Sequence, residues 1–196
     1  MLELEIVRAI SNLGSGTFLD KISWFISLYS FFVVLGVVLM VLVWIYDRKN
    51  FKKVLFAVII ALALHFVITE GVFKVVIPQF TGIGIRERPY ISDNNLVPIG
   101  KIVVDSSFPS GHVSTIFAVG SVFMFFYRKK WFFVLGIGFG ILVALSRIHN
   151  GMHYPSDVIV GAGLGILYGL VGLYFANQLY KMKRMNVLKS NKKIKS

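Results

Sequence analysis

Ser146-Arg147-Ile148-His149-Asn150-Gly151-Met152-His153-Tyr154-Pro155-Ser156-Asp157 joins two strongly apolar runs, and it packs an arginine, two histidines and a carboxylate into one short stretch. Pro155 suits the first turn of a helix, where the N–H it lacks has no partner in any case. Asp157 then falls in that turn, where negative charge is favoured. His153 stands just outside the helix, within reach of that carboxylate. The two make the orienting pair that a catalytic histidine needs. A plain hairpin between two membrane spans requires neither.

The composition says what surrounds this pair. At 196 residues the length suggests one domain. The chain is 56% hydrophobic and 15% aromatic, with a mean hydropathy of +0.75, too apolar for a water-soluble domain of this size. It has no cysteine, which excludes disulfides and thiolate chemistry. The N-terminal stretch carries acids early and no basic run, and it does not read as a secretory signal.

Residues 2–12 alternate apolar and charged groups before Gly14 and Gly16, and read as a short amphipathic helix at an interface. Five apolar spans follow: about Ile22 to Tyr46, Val54 to Ile77 closed by Pro78, Pro109 to Tyr127, Trp131 to Leu145, and Pro155 to about Tyr180. The expected fold is all-α, an integral membrane helical bundle of about five transmembrane helices plus a short N-terminal interfacial helix. Residues 1–180 form its single transmembrane domain and 181–196 a basic cytoplasmic tail.

Charge fixes the orientation. Of 21 basic residues, 14 fall in the turn after Tyr46, the turn after Tyr127 and the tail, all on one face of a five-span bundle. The positive-inside rule makes that face cytoplasmic. The formal charge of +12 is thereby explained without a nucleic-acid partner. The segment 79–111 and the stretch 146–157 share the opposite, extracytoplasmic face. Three spans also carry small residues four apart: Ser110, Ser114, Ala118; Gly136, Gly140, Ala144; and Gly161, Gly165, Gly169. Such ladders let transmembrane helices approach closely.

The polar residues of that face describe an anion site. Phe108-Pro109-Ser110-Gly111-His112 opens the third span, and the first N–H groups of a helix lack internal partners. Arg86, Arg88 and Arg147 lie on the same face, and fixed guanidinium groups beside free N–H groups suit phosphate. A rival reading uses His149, His153 and Asp157 as metal ligands at i, i+4, i+8. Gly151 and Pro155 break the helix this would need, and Arg147 repels a cation. No metal or other cofactor is called for.

At these residues the chain resembles the type 2 phosphatidic acid phosphatase superfamily of integral membrane lipid phosphatases. Its motifs are Lys-x6-Arg-Pro, Pro-Ser-Gly-His and Ser-Arg-x5-His-x3-Asp. The second is complete as Pro109-Ser110-Gly111-His112, and the third as Ser146-Arg147, His153 and Asp157. The first departs from the pattern. Arg88-Pro89 fits its end, but Thr81 stands seven before Arg88, and the nearest upstream lysine is Lys74. Either an insertion has moved the lysine or Arg86 has taken its role. Lys74 also has Glu70 at i−4 as a plain pairing partner.

The resemblance implies that His153 attacks phosphorus, that Asp157 holds its tautomer, and that His112 protonates the leaving oxygen and then activates water. Arg88, Arg147, Ser110 and the Gly111 N–H would bind the phosphoryl oxygens, with Arg86 or Lys74 alongside. It further implies a bacterial cytoplasmic-membrane enzyme acting without metal on a lipid phosphate or pyrophosphate in the bilayer, most closely undecaprenyl pyrophosphate. Lipid A 1-phosphate, phosphatidylglycerol phosphate and phosphotransfer to another acceptor are the alternatives. Oligomeric state is not legible.

Overall fold

The computed structural model describes residues 2–81 and 85–194, with side chains described for all of these except Thr81 and 187–194. Gly82, Gly84 and the end of the basic tail, Lys195 and Ser196, lie outside the described residues. The helices are α1 (Leu2–Ser11), α2 (Phe18–Ile26), α3 (Tyr29–Tyr46), α4 (Phe51–Leu64), a π-helical continuation (His65–Val76), α5 (Ile77–Thr81), α6 (Pro89–Ser92), α7 (Gly111–Tyr127), α8 (Lys130–His149) and α9 (Pro155–Ile194). Four helical runs are long and apolar enough to cross a membrane: Tyr29–Tyr46, Phe51–Phe80, Lys130–His149 and Pro155–Asn186. The shorter apolar α7 runs among them. The result is a multi-pass helical membrane bundle.

The centre of the bundle is the pair α7 and α9, and the glycine ladder explains why. A Cβ at Gly161 would meet the Ser110 carbonyl at 2.7 Å, one at Gly165 the Ser114 carbonyl at 2.4 Å, and one at Gly169 the Ala118 carbonyl at 2.6 Å. The ladders of α7 and α9 therefore face each other, backbone against backbone. The ladder of α8 works differently. Gly136 and Gly140 receive the side chains of Met124 and Phe117 from α7. On the far side of α9, Gly172 lies against the backbone of Ala57 in α4.

Several boundaries differ from the expectation. The first span does not begin at Ile22. The chain breaks at Ser27 and Leu28, because Ser23, Ser27, Ser146 and Asn150 form a buried hydrogen-bonded knot that ties the break to the end of α8. Pro78 does not close the second span. It lies within the continuous run Phe51–Phe80, where the π-helical winding gives way to α5, and the helix continues to Thr81. The fourth span does not end at Leu145 but runs through Ser146, Arg147 and His149. The basic tail continues α9 as helix to Ile194. The N-terminal helix is not merely laid on a surface: Val7 is fully buried among Ile148 and Val158, and Arg8 pairs with Asp93 at 2.5 Å.

The two ends of the bundle differ in character. At one end Tyr127 donates to Asp47 at 3.2 Å and Lys53 lies over the Phe126 ring, so the first two basic turns are neighbours. The other end gathers the start of α7, the end of α8 and the start of α9. Because three backbone carbonyls would be struck, enlarging the α9 ladder should loosen the whole bundle. Gly165→Ala is expected to destabilise the protein by about 1–3 kcal/mol, read as a lowered unfolding temperature in detergent, while Gly163→Ala, which meets nothing, leaves it unchanged.

Candidate active site

The site is built where two helices begin side by side. Ser110 precedes α7, and its N–H donates to the Asp157 carbonyl at 3.0 Å, stitching the two N-termini together. Between α8 and α9 the chain turns through Gly151 at φ +68°, a left-handed conformation that glycine adopts freely. That turn carries His153 under the loop that ends at Ser107.

The His153 ring is almost wholly buried. Its Nδ1 lies 2.7 Å from the Ser107 carbonyl, which can only accept, so Nδ1 carries the proton and Nε2 keeps its lone pair, toward which Arg88 Nη1 points from 3.4 Å. The Asp157 carboxylate stands 3.7 Å from the same nitrogen. The hydrogen bond that fixes the tautomer is thus made to a backbone carbonyl, where the sequence pointed to the carboxylate. The carboxylate has other partners: its Oδ2 accepts the Tyr154 N–H at 2.9 Å, capping α9, and its Oδ1 accepts from Arg86 at 2.6 Å. Burial, then the nearby Arg147, Arg88 and Lys74 charges, hold the His153 ring well below the usual histidine range, against the opposing pull of the Ser107 carbonyl.

Positive groups surround Nε2. Arg88 is buried, with Nη1 3.4 Å from Nε2 and 3.0 Å from the Met152 carbonyl, and Nη2 2.6 Å from Asp105. Arg147, in the last turn of α8, is buried and forms no ion pair among the described residues. The Nε atoms of both arginines and the Ser110 Oγ are buried without a hydrogen-bond partner. Gly111 begins α7, and the Glu70 carboxylate packs into the space a Cβ there would take, 2.1 Å from its position. His112 follows, its ring against Tyr29 with centroids 3.9 Å apart.

The π-helical segment settles where Lys74 goes. A π turn spans more than four residues, so His65, Thr69, Glu70 and Lys74 share a face. Lys74 is held by Glu70 at 3.0 Å and reaches Asp105 at 3.5 Å, which places it one carboxylate away from Arg88. Of the described residues between Lys74 and Arg88, those up to Thr81 end the long helix and those from Ile85 on lead back without regular secondary structure. Arg86 sits elsewhere. It pairs with Glu3 and Asp157, both at 2.6 Å, and stacks over Tyr154, on the outer side of Asp157 from the histidine. His149 bonds the Leu13 carbonyl at 3.0 Å, and so does not join His153 and Asp157 as the metal reading required.

A family model, that of the PAP2 superfamily, matches residues 67–181. The chain belongs to the PAP2 superfamily. It is similar to the bacitracin transport permease protein BcrC of Bacillus licheniformis, 30% identical over 94% of this chain and 85% of that one. The undecaprenyl-diphosphatase BcrC of Bacillus subtilis is 29% identical over 91% and 86%. Among solved structures, LpxE of Aquifex aeolicus superposes with a TM-score of 0.64 at 24% identity, over 89% of this chain and 96% of that one. The PAP2 membership makes the chain a lipid phosphatase, a hydrolase of the membrane.

Three contacts escaped the sequence. The Ser107 and Met152 carbonyls are backbone atoms, which no residue type announces. Asp105 is one of several acids in a long polar loop, and only the fold singles it out. The lowered affinity of the His153 ring for a proton has a spectroscopic consequence. Its neutral form, fully present above its folded value, persists to lower pH than in a free imidazole, so 15N NMR of ring-labelled protein at pH 6 should show neutral His153 with the proton on Nδ1.

Proposed function

We propose that this phosphatase removes the terminal phosphate of undecaprenyl diphosphate at the extracytoplasmic face of a bacterial cytoplasmic membrane, through a phosphohistidine at His153. The observation that carries this reading is the unprotonated Nε2 of a buried ring, its lone pair turned toward Arg88 beside the start of α7. The substrate assignment draws on the similarity to the Bacillus subtilis diphosphatase over most of both chains.

In the proposed reaction Nε2 attacks the terminal phosphorus, and the bond to the bridging oxygen breaks. His112 gives a proton to that oxygen as it leaves. A water then attacks the phosphohistidine, losing its proton to His112, and the P–N bond breaks to release inorganic phosphate. Arg88, Arg147, Lys74, the Ser110 hydroxyl and the Gly111 N–H neutralise the phosphoryl oxygens as charge shifts onto them. Arg86 acts at one remove by holding Asp157. The guanidinium groups supply the electrostatic stabilisation that a metal would otherwise give.

The lipid tail has a place to lie. A cleft of about 770 Å³ runs between α3, α4 and α7, from Tyr29 and Thr115 down to Trp44 and Phe51. Tyr29 lines it and also stacks on His112, so the cleft opens beside the leaving oxygen. Its mouth lies on the side of α3, which fully buries only Phe32 and Val43 and leaves Val33, Val37 and Val41 exposed.

Purified protein in detergent with EDTA should release phosphate from undecaprenyl diphosphate faster than from lipid A 1-phosphate, phosphatidylglycerol phosphate or phosphatidic acid. A reversed order would reassign the substrate, and a strict need for divalent metal would remove the mechanism. His153→Ala should lower turnover by on the order of 10³-fold or more while the protein still inserts and folds. The orientation has its own test, which the absence of native cysteine simplifies. Lys101→Cys should react with an impermeant maleimide in intact cells, and Lys129→Cys only after permeabilisation.

A further inference from the structure

Asp105 does something the reaction above does not use. Its carboxylate bridges two cations of the site, with Oδ1 2.6 Å from Arg88 Nη2 and Oδ2 3.5 Å from Lys74 Nζ. Burial would raise it, but the hydrogen bond and charge of Arg88, joined by Lys74, outweigh this and hold it below the usual carboxylate range. It is therefore a standing negative charge where an incoming phosphate needs to be.

Neither cation depends on Asp105 for its position. Arg88 is anchored through Nη1 to the Met152 carbonyl, and Lys74 is held by both oxygens of Glu70 at 3.2 and 3.0 Å. Asp105 is itself partly exposed, its side chain 41% accessible. It sits at the apex of a short span tied down on both sides. On one side Tyr90 grips the Val103 backbone, and on the other the Ser107 N–H bonds the Arg86 carbonyl at 2.9 Å. A carboxylate placed so can withdraw while its flanks stay fixed.

The charges then set a threshold. Lys74, Arg88 and Arg147 offer three positive charges against Glu70 and Asp105. With Asp105 in place one net positive charge remains, and a singly charged anion gains little by exchanging with a carboxylate of equal charge. A terminal phosphate carries about −1.5 to −2 near neutrality and gains more. Bulk phospholipids present phosphodiesters, which carry a single negative charge and surround the protein in the bilayer.

We propose that Asp105 is a specificity-determining residue, a built-in competitor that holds the Arg88–Lys74 pair against singly charged phosphodiesters and yields it to a terminal phosphate. This rests on the phosphatase reading above and adds to it the means by which the surrounding phospholipid is refused.

The test compares wild type with two neutral variants, Asp105→Asn and Asp105→Ser, and the conservative Asp105→Glu. Binding of inorganic phosphate and of dimethyl phosphate at pH 8 is measured by calorimetry in detergent. Dimethyl phosphate should bind either neutral variant about tenfold or more tightly than wild type, as loss of a unit charge within ~4 Å implies. Asp105→Glu should behave as wild type. In mixed micelles phosphatidylglycerol should inhibit turnover by the neutral variants and spare wild type. Equal dimethyl phosphate binding in all four proteins overturns the proposal and leaves the phosphatase standing. Weaker inorganic phosphate binding in both neutral variants overturns it too, since Asp105 would then be positioning the cations. Wild type that binds inorganic phosphate yet releases none from any lipid phosphate overturns the phosphatase reading alone.

Discussion

The contact on which the site depends is the close passage of α9 across α7. Three glycines let two backbones meet where any side chain would hold them apart, with Gly161 against Ser110, Gly165 against Ser114 and Gly169 against Ala118. In a bilayer this is a strong device, because apolar side chains gain little from each other when lipid is the alternative and association rests on close packing. Its uppermost rung is already part of the site. The same approach that seats Gly161 on Ser110 brings the Ser110 N–H to the Asp157 carbonyl, so the beginnings of both helices are fixed relative to one another. Packing and chemistry share one interface.

Onto this frame the fold loads an unusual amount of buried charge. Arg88, Arg147 and Lys74 are all nearly inaccessible, and Arg147 has no carboxylate partner among the described residues. A buried cation without a counter-ion is expensive unless something anionic comes to it. Two of the acids nearby keep clear of Nε2, with Glu70 holding Lys74 and Asp157 drawn outward by Arg86, while Asp105 lies across Arg88 and Lys74. Deeper in the bundle the polar groups satisfy one another. His65 bonds Ser114 and Thr115, and Thr69 bonds Tyr168, so the π-helical face runs from the site into the interior as a connected network. Such a segment keeps its polar side chains only where protein, not lipid, surrounds them.

How far this could be read in the sequence depended on the kind of information each feature carries. The apolar runs announced a helical membrane bundle because length and hydropathy survive any packing arrangement. The residues Ser110, His112, Arg147, His153 and Asp157 stood out because they fall in two short stretches where apolar spans begin or end. Lys74 was ambiguous, since a π-helical stretch and the helix beyond Pro78 change how fourteen residues are traversed, and one-dimensional spacing cannot show winding. Arg86 looked like a phosphate ligand by proximity to Arg88. The fold separates the two: Arg86 goes out to Glu3 and Asp157 while Arg88 turns inward to the Met152 carbonyl, a divergence that no spacing announces. Asp105 and the two carbonyls needed the fold itself.

The carbonyl on His153 also bears on why a nucleophile can be maintained so close to positive charge. A carboxylate bonded directly to Nδ1 would favour the protonated ring and silence Nε2 in the ground state. A neutral acceptor fixes the same tautomer without that pull, and with Arg88 and Arg147 adjacent the ring stays unprotonated. The need reverses once attack begins in the proposed reaction, because the ring then becomes cationic. A carboxylate 3.7 Å from Nδ1, already shared with Arg86, is near enough to stabilise that charge and far enough not to induce it beforehand. Dividing the work between a backbone oxygen and a side-chain carboxylate thus favours the transition state over the resting ring, which is the condition for catalysis.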